Sequence, residues 1–237
     1  MAETEEMNGL ALAIGLVAYN NAMNLWSRFH GRLYVPANLV LSAALLGIAM
    51  LAWNLDARDI GLGPGQSAGA LLGAGLGVIA ASPFFIALRT GRRAPTFADD
   101  RMAGLSPTEL VNRTLFRVPF GTALPEELAF RGVLFAVLAP AGTAWAAAGS
   151  SLAFGLWHIA PTYNLLEQNG AVQGRSKAAT AVKLAGSVVL TALGGLILLW
   201  LRVRTGGIAA PFALHATLNS LGTVAAHLAH RSSSDQP

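Results

Sequence analysis

Cysteine is absent from the 237-residue sequence, and charged residues are scarce. Without cysteine, the protein has no thiol nucleophile, no disulfide bond and no metal cluster held by thiolates. Only 12% of the residues are charged and 54% are hydrophobic. This is about half the charge of an ordinary soluble domain. The composition therefore predicts a polytopic membrane protein.

The features that predict a cleavable signal peptide or a nucleic-acid-binding arm are also scarce. Residues 1–7 contain Glu3, Glu5 and Glu6 but no basic residue, so they lack the positive region of a cleavable signal peptide. We therefore expect the first apolar run to stay in the mature protein. The net charge is +4, but the basic residues are scattered through short loops, so we expect no nucleic-acid partner.

Apolar runs that approach or reach the ~20 residues needed to cross a bilayer occur throughout the chain. They lie near residues 10–27, 33–55, 66–88, 122–139, 143–163, 179–201 and 206–228. The runs predict an all-α, polytopic bundle of about seven transmembrane helices, within a range of roughly six to eight. We expect one integral membrane domain over residues 1–237. Asn20, Asn21 and Asn24 interrupt the first run, and we expect them to face other helices or to mark a tilted segment.

The loops between these runs differ in positive charge. Alternate loops carry nine lysines and arginines on one face and three on the other, the three being Arg58, Arg202 and Arg204. Because cytoplasmic loops carry the excess of lysine and arginine, we expect the N-terminus outside and the C-terminus in the cytoplasm. The alanine-rich and glycine-rich composition is typical of a bacterial inner-membrane protein.

Gly69, Gly73 and Gly77 recur every four residues in the third run. A stripe of small residues lets another helix approach closely, which matters in lipid because no hydrophobic force joins helices there. The stripe therefore predicts helix packing rather than chemistry.

Residues 108–120 predict an amphipathic helix that lies in the membrane interface, because polar and apolar residues fall on opposite arcs. The polar arc consists of Glu109, Asn112, Arg113 and Arg117. Pro119, Gly121 and Pro125 then predict a break in the helix. We expect the buried helix to restart near Thr122 or Pro125, which would place the next residue, a glutamate, in its first turn.

Residues 125–132 place three charges among apolar neighbours. Charge in hydrocarbon costs several kcal/mol and is therefore usually functional. On a helix, Glu127 and Arg131 are four residues apart and share a face, whereas Glu126 projects elsewhere. The pair can neutralise itself and Glu126 cannot. The alternative is a structural ion network, but such a network needs no further, unpaired carboxylate beside the Glu127–Arg131 pair.

Two later runs carry imidazoles that could join Glu126. His158 follows Phe154 by one turn, and His215 precedes Asn219 by one turn. Each site alone could be a satisfied core residue or a polar contact between helices. Together they supply a carboxylate that can take a proton from water, imidazoles that can hold that water, and donors for an oxyanion. The sequence contains no HExxH helix, no intramembrane aspartate pair and no serine nucleophile motif, so a glutamate-centred hydrolysis remains.

The sequence resembles the CPBP intramembrane protease family, also called the CaaX protease and bacteriocin-processing or Abi family. The resemblance consists of Glu126-Glu127-x-x-x-Arg131 followed by Gly132, then Phe154-x-x-x-His158, then His215-x-x-x-Asn219. It covers roughly residues 108–228, which we interpret as the catalytic core, whereas the spans in residues 10–88 show no recognised motif.

The resemblance implies a role for each matched residue. Glu126 is expected to activate water, and His158 to hold and polarise it. His215 and Asn219 are expected to stabilise the oxyanion. Glu127 with Arg131 is expected to brace the site, and Phe154 to pack within it.

Members of the family are described both as metalloproteases and as metal-independent glutamate proteases. Glu126, His158 and His215 could supply three zinc ligands. We prefer a reaction that needs no cofactor, because Glu126 would otherwise have to be ligand and base at once. No second general base is visible in the sequence.

The sequence therefore predicts an endopeptidase that cleaves a membrane-associated protein or peptide near the bilayer surface. The resemblance permits release of C-terminal tripeptides from prenylated proteins, maturation of secreted peptides or bacteriocins, and removal of sorting tails. One alternative is a proton-coupled transporter or channel in which Glu126, His158 and His215 form a relay. Another is a catalytically silent scaffold. The sequence leaves the oligomeric state open.

Overall fold

The computed structural model describes residues 2–90, 100–102, 104–174 and 176–234. Within these ranges all regular secondary structure is helical and no residue lies in a strand. The predicted all-α class is therefore confirmed. Three of the nine positive residues on the more basic face, Arg92, Arg93 and Arg175, lie outside the described residues.

Eight helices of substantial length occur in the described ranges, and we number them in chain order. They are α1 (Ala2–Leu25), α2 (Ser27–Ala52), α3 (Ser67–Arg89), α4 (107–138), α5 (Thr143–Trp157), α6 (Ile159–Gln168), α7 (Lys177–Thr205) and α8 (Ala209–Ser234). Short 3₁₀ turns are present at Asp100–Met102 and Ala139–Ala141. The second half of α4, residues 124–138, is buried between α1, α2 and α5. This half of α4 therefore forms the centre of the bundle.

Three helical segments are long and apolar enough to cross a membrane: Leu33–Ala52, Ser67–Arg89 and Lys177–Thr205. They coincide with three of the seven predicted runs. The fourth run carries Glu126, Glu127 and Arg131, and the fifth run is divided at His158 into α5 and α6. The chain is a membrane protein with an all-helical bundle, and the number of about seven spans stays a prediction.

Helix α4 is continuous, so the predicted break with a restart near Thr122 or Pro125 is wrong. The helix passes through Arg113–Ala123 and Glu127–Leu134 with π-helical hydrogen bonding, and the Leu124 N–H donates to the carbonyl five residues back, at Pro119. A wider turn moves the preceding carbonyl away from a proline ring and so tolerates it. Glu126 therefore lies in mid-helix, between the two π-helical segments.

A neighbouring helix also compensates for Pro125. In an α-helix the Gly121 carbonyl would accept from the N–H of residue 125, which proline lacks. Asn38 on α2 donates its side-chain Nδ2–H to that carbonyl at 2.8 Å. The expected amphipathic segment is thus the first part of α4, with Leu115 and Phe116 exposed, and its location in a membrane interface stays a prediction.

The glycine stripe of α3 packs against α8, as the sequence predicts. A Cβ at Gly73 would collide with the Ala210 carbonyl, and one at Gly77 would lie 2.9 Å from the Leu214 carbonyl. The two backbones therefore approach each other at distances that only glycine allows.

We expect Gly73→Ala to destabilise the protein by about 1–3 kcal/mol, because the added methyl overpacks a contact with backbone that cannot rotate away. Gly75→Ala on the same helix is the matched control, since no atom lies within 4 Å of a Cβ at Gly75. The measurement is reversible denaturation of each purified variant in mixed micelles. Equal stability of the two variants would contradict the packing described here.

Candidate active site

Glu126 is the buried centre of the candidate site, with 5% of its surface exposed. The Trp157 Nε1–H donates to Glu126 Oε1 at 3.2 Å. Glu126 Oε2 is also buried, and it forms no hydrogen bond with any part of the chain that the structure describes. One carboxylate oxygen is thus anchored, and the other has unused acceptor capacity.

Two imidazoles face this second oxygen. Glu126 Oε2 lies 3.9 Å from His158 Nε2 and 3.7 Å from His215 Nε2. Both separations exceed a direct hydrogen bond but suit a bridge through one water molecule. The structure therefore brings together three of the residues that the sequence singles out, from α4, the α5–α6 junction and α8.

The partners of the Nδ1 atoms determine which nitrogen carries the proton. His158 Nδ1 lies 2.7 Å from the Phe154 carbonyl, and His215 Nδ1 lies 2.8 Å from Glu127 Oε1. A carbonyl and a carboxylate can only accept, so each Nδ1 is the protonated nitrogen. In a neutral ring, Nε2 then presents a lone pair toward Glu126. The His215 ring therefore lies between two carboxylates, with Nδ1 on Glu127 and Nε2 facing Glu126.

Glu127, Arg131 and Phe154 form the support beneath the imidazoles. Arg131 NH1 donates to Glu127 Oε1 at 3.2 Å, and the exposed fractions of the two residues are 1% and 0%. The Arg131 guanidinium lies 3.9 Å from the centre of the Phe154 ring, which also contacts His158 edge-on at 4.6 Å between ring centres. Glu127 therefore has two partners, Arg131 and His215.

Asn219 is one helical turn beyond His215 on α8 and is partly buried. In the described parts of the chain, no hydrogen bond joins its side chain to Glu126, His158 or His215, while its carbonyl accepts from Thr223. The expected role of Asn219 in oxyanion stabilisation stays a prediction.

Sequence reasoning missed two contacts of the site. One is the indole N–H of Trp157 on Glu126, for which the only signal is the position next to His158. The other is the hydrogen bond between His215 and Glu127. The sequence predicts Arg131 as the partner of Glu127 and gives no sign of a second one. Both depend on how α4 meets other helices rather than on spacing within one helix.

Glu126, His158 and His215 are also the three ligands that the sequence offers for zinc. Each imidazole Nδ1 has an acceptor, as metal-binding histidines require. However, two ligands of a tetrahedral zinc lie about 3.3 Å apart, whereas the separations from Glu126 Oε2 are 3.7 and 3.9 Å. Within the described residues, no three His, Asp or Glu side chains are placed to hold a metal ion. The preference for a reaction without a metal stays a prediction.

Comparison with known proteins gives one match. The family model described as Type II CAAX prenyl endopeptidase Rce1-like matches residues 110–221. This range extends from α4 into α8 and contains every residue that was singled out for the site. No curated protein and no solved structure matches the chain.

We expect Arg131→Met to lower the free energy of unfolding by about 3–5 kcal/mol, because it leaves the buried Glu127 carboxylate without its cationic partner. The matched control is Arg204→Met, whose side chain is exposed on α7. That change removes only an exposed contact of the guanidinium with the Trp200 ring, 5.5 Å from the ring centre, and is expected to stay within about 1 kcal/mol. Reversible denaturation in mixed micelles measures both values. A loss at Arg131 no larger than at Arg204 would contradict the bracing role.

Proposed function

We propose that this chain, which carries an Rce1-like CAAX protease domain at residues 110–221, is an intramembrane endopeptidase in which Glu126 activates the attacking water. The observation that carries the proposal is the buried Glu126 Oε2, which has no hydrogen-bond partner among the described residues and faces two imidazole nitrogens. Glu127 Oε2 in the neighbouring ion pair is also buried without a hydrogen-bond partner among the described residues, so the feature that distinguishes Glu126 is the pair of imidazole nitrogens that faces its Oε2.

Water is bound between Glu126 Oε2 and His158 Nε2. The protonated Nδ1 of His158 leaves Nε2 as an acceptor, so the ring holds one water hydrogen while Glu126 takes the other. The hydroxide oxygen forms a bond to the scissile carbonyl carbon, and the carbonyl oxygen becomes an oxyanion. Trp157 keeps Glu126 Oε1 in place during this transfer.

His215 stabilises the oxyanion by donating its Nε2–H. Its Nδ1–H is bound by Glu127, so Nε2 is the nitrogen that faces Glu126 and the reacting carbonyl. We also propose that the Asn219 amide assists as a second donor when substrate is bound. Collapse of the tetrahedral intermediate breaks the C–N bond, and Glu126 gives its proton to the leaving amine.

The substrate class that we propose is a prenylated protein or peptide with a C-terminal CAAX sequence, on the basis of the family description. The surrounding bilayer is the second partner, since the substrate must reach a site within the bundle. We also propose a bacterial inner membrane as the location, because the composition is rich in alanine and glycine. The lysine and arginine asymmetry between the loops places the proposed C-terminus in the cytoplasm.

We expect Glu126→Gln to lower kcat by about 10²–10⁴-fold, because the amide cannot take a proton from water. The assay is cleavage of an internally quenched, farnesylated CAAX peptide by the purified protein in phospholipid vesicles. Glu167→Gln makes the same chemical change at an exposed residue of α6 and is expected to retain activity. Full activity of folded Glu126→Gln would contradict the proposed base. Proton-coupled flux without cleavage by the wild type would favour a transporter.

We expect removal of metal ions to leave the cleavage rate unchanged, because Glu126 is proposed to serve as the base rather than as a metal ligand. The measurement compares kcat before and after dialysis against EDTA and 1,10-phenanthroline, with the metal content determined on the same samples. Loss of activity that returns on adding Zn²⁺ would contradict the metal-independent reaction.

A further inference from the structure

The junction between α5 and α6 interrupts a helix inside the bundle. His158 lies at this junction with φ −90° and ψ 5°, and the helix resumes when the Thr162 N–H donates to the His158 carbonyl. At such a break, backbone N–H and carbonyl groups lose their helical partners. Each buried group that stays unsatisfied costs about 1–3 kcal/mol.

Asn21 of α1 occupies the position of one lost helical hydrogen bond. In a continuous helix the Ala160 N–H would donate to the Leu156 carbonyl. Instead, the Ala160 N–H donates to Asn21 Oδ1 at 2.7 Å, and Asn21 Nδ2 donates to the Leu156 carbonyl at 3.0 Å. A side-chain amide has a donor and an acceptor, so one residue serves both sides of the break.

Asn20 of α1 serves the next carbonyl. The helical partner of the Trp157 carbonyl would be the N–H of residue 161, which is a proline and has none. Asn20 is buried and donates its Nδ2–H to that carbonyl at 2.8 Å. Asn24 Nδ2 in turn donates to Asn20 Oδ1 at 3.1 Å, which fixes the orientation of the Asn20 amide.

The two residues at this junction are the ones that face Glu126 from α5. Trp157 donates to Glu126 Oε1, and His158 Nε2 lies 3.9 Å from Oε2. We propose that Asn20 and Asn21 are positioning residues that set the orientation of His158 toward Glu126, an inference that rests on the proposed function. They act through the backbone of residues 156–160 and touch neither water nor substrate.

These asparagines lie outside residues 110–221, the range of the family match. Helix α1 therefore contributes to the site although it carries none of the site motifs. Asn164 provides the contrast, because its Nδ2 donates to the Asn24 carbonyl at 3.0 Å and so joins α6 to α1 away from the break.

The test compares Asn21→Leu with Asn164→Leu in the vesicle assay with the farnesylated CAAX peptide. Asn21→Leu is expected to lower kcat by up to about 100-fold with little change in KM, since a small misplacement of a catalytic group costs that much. Asn164→Leu is expected to retain kcat. In a His158→Ala background, Asn21→Leu is expected to add little, because it acts through His158. Additive losses would overturn the proposal.

Asn21→Asp supplies a rescue, because a protonated carboxyl has the donor and the acceptor of the amide. The ratio of its kcat to that of the wild type is expected to rise as the pH falls, whereas the ratio for Asn21→Leu should stay constant. If Asn21→Leu fails to fold, Asn20→Leu carries the same comparison. A pH-independent Asn21→Asp ratio equal to that of Asn21→Leu would overturn the proposal.

A structure of the folded Asn21→Leu protein separates this inference from the proposed function. We expect the separation between His158 Nε2 and Glu126 Oε2 to differ from 3.9 Å. If this separation changes but the wild-type protein cleaves no peptide, the positioning role is supported and the proposed endopeptidase function is overturned. An unchanged separation together with unchanged kcat would overturn positioning alone.

Discussion

Two adjacent carboxylates are buried in α4, and the neighbouring arginine can neutralise only one of them. Glu127 pairs with Arg131, while Glu126 relies on an indole N–H and two imidazoles. Because a buried charge without partners costs several kcal/mol, other elements must reach α4 at this level. Trp157 at the end of α5, His158 at the α5–α6 junction and His215 on α8 satisfy that requirement.

His215 connects the two carboxylates and gives them different roles. Glu127 binds its Nδ1, which leaves Nε2 facing Glu126. Adjacent residues on an α-helix point about 100° apart, yet both glutamates reach one ring. The π-helical segment that begins at Glu127 has more residues per turn than an α-helix and so changes the angle between successive side chains. His158 has only a carbonyl at Nδ1, so the two imidazoles are chemically unlike.

The sequence predicts the helical class, the i, i+4 pair of Glu127 and Arg131 and the glycine packing of α3, because each depends on periodicity within one helix. It does not predict that α4 continues through Pro125 or that the fifth run divides at His158. Both outcomes depend on asparagines of other helices that supply lost hydrogen bonds. Pro161 is the local signal for the division at His158, because it cannot donate to the Trp157 carbonyl. Asn20, which donates to that carbonyl instead, lies 137 residues before Trp157 in the chain.

Each element of the candidate site is held by a different N-terminal helix. Helix α1 binds the backbone around His158, and α2 binds the Gly121 carbonyl one turn before Glu126. Helix α3 packs through glycine against the part of α8 that carries His215. Glu126 Oε2 lies within 4 Å of an imidazole nitrogen of both His158 and His215. All three N-terminal helices therefore contact the elements that carry the reacting groups, which all lie beyond them in the chain.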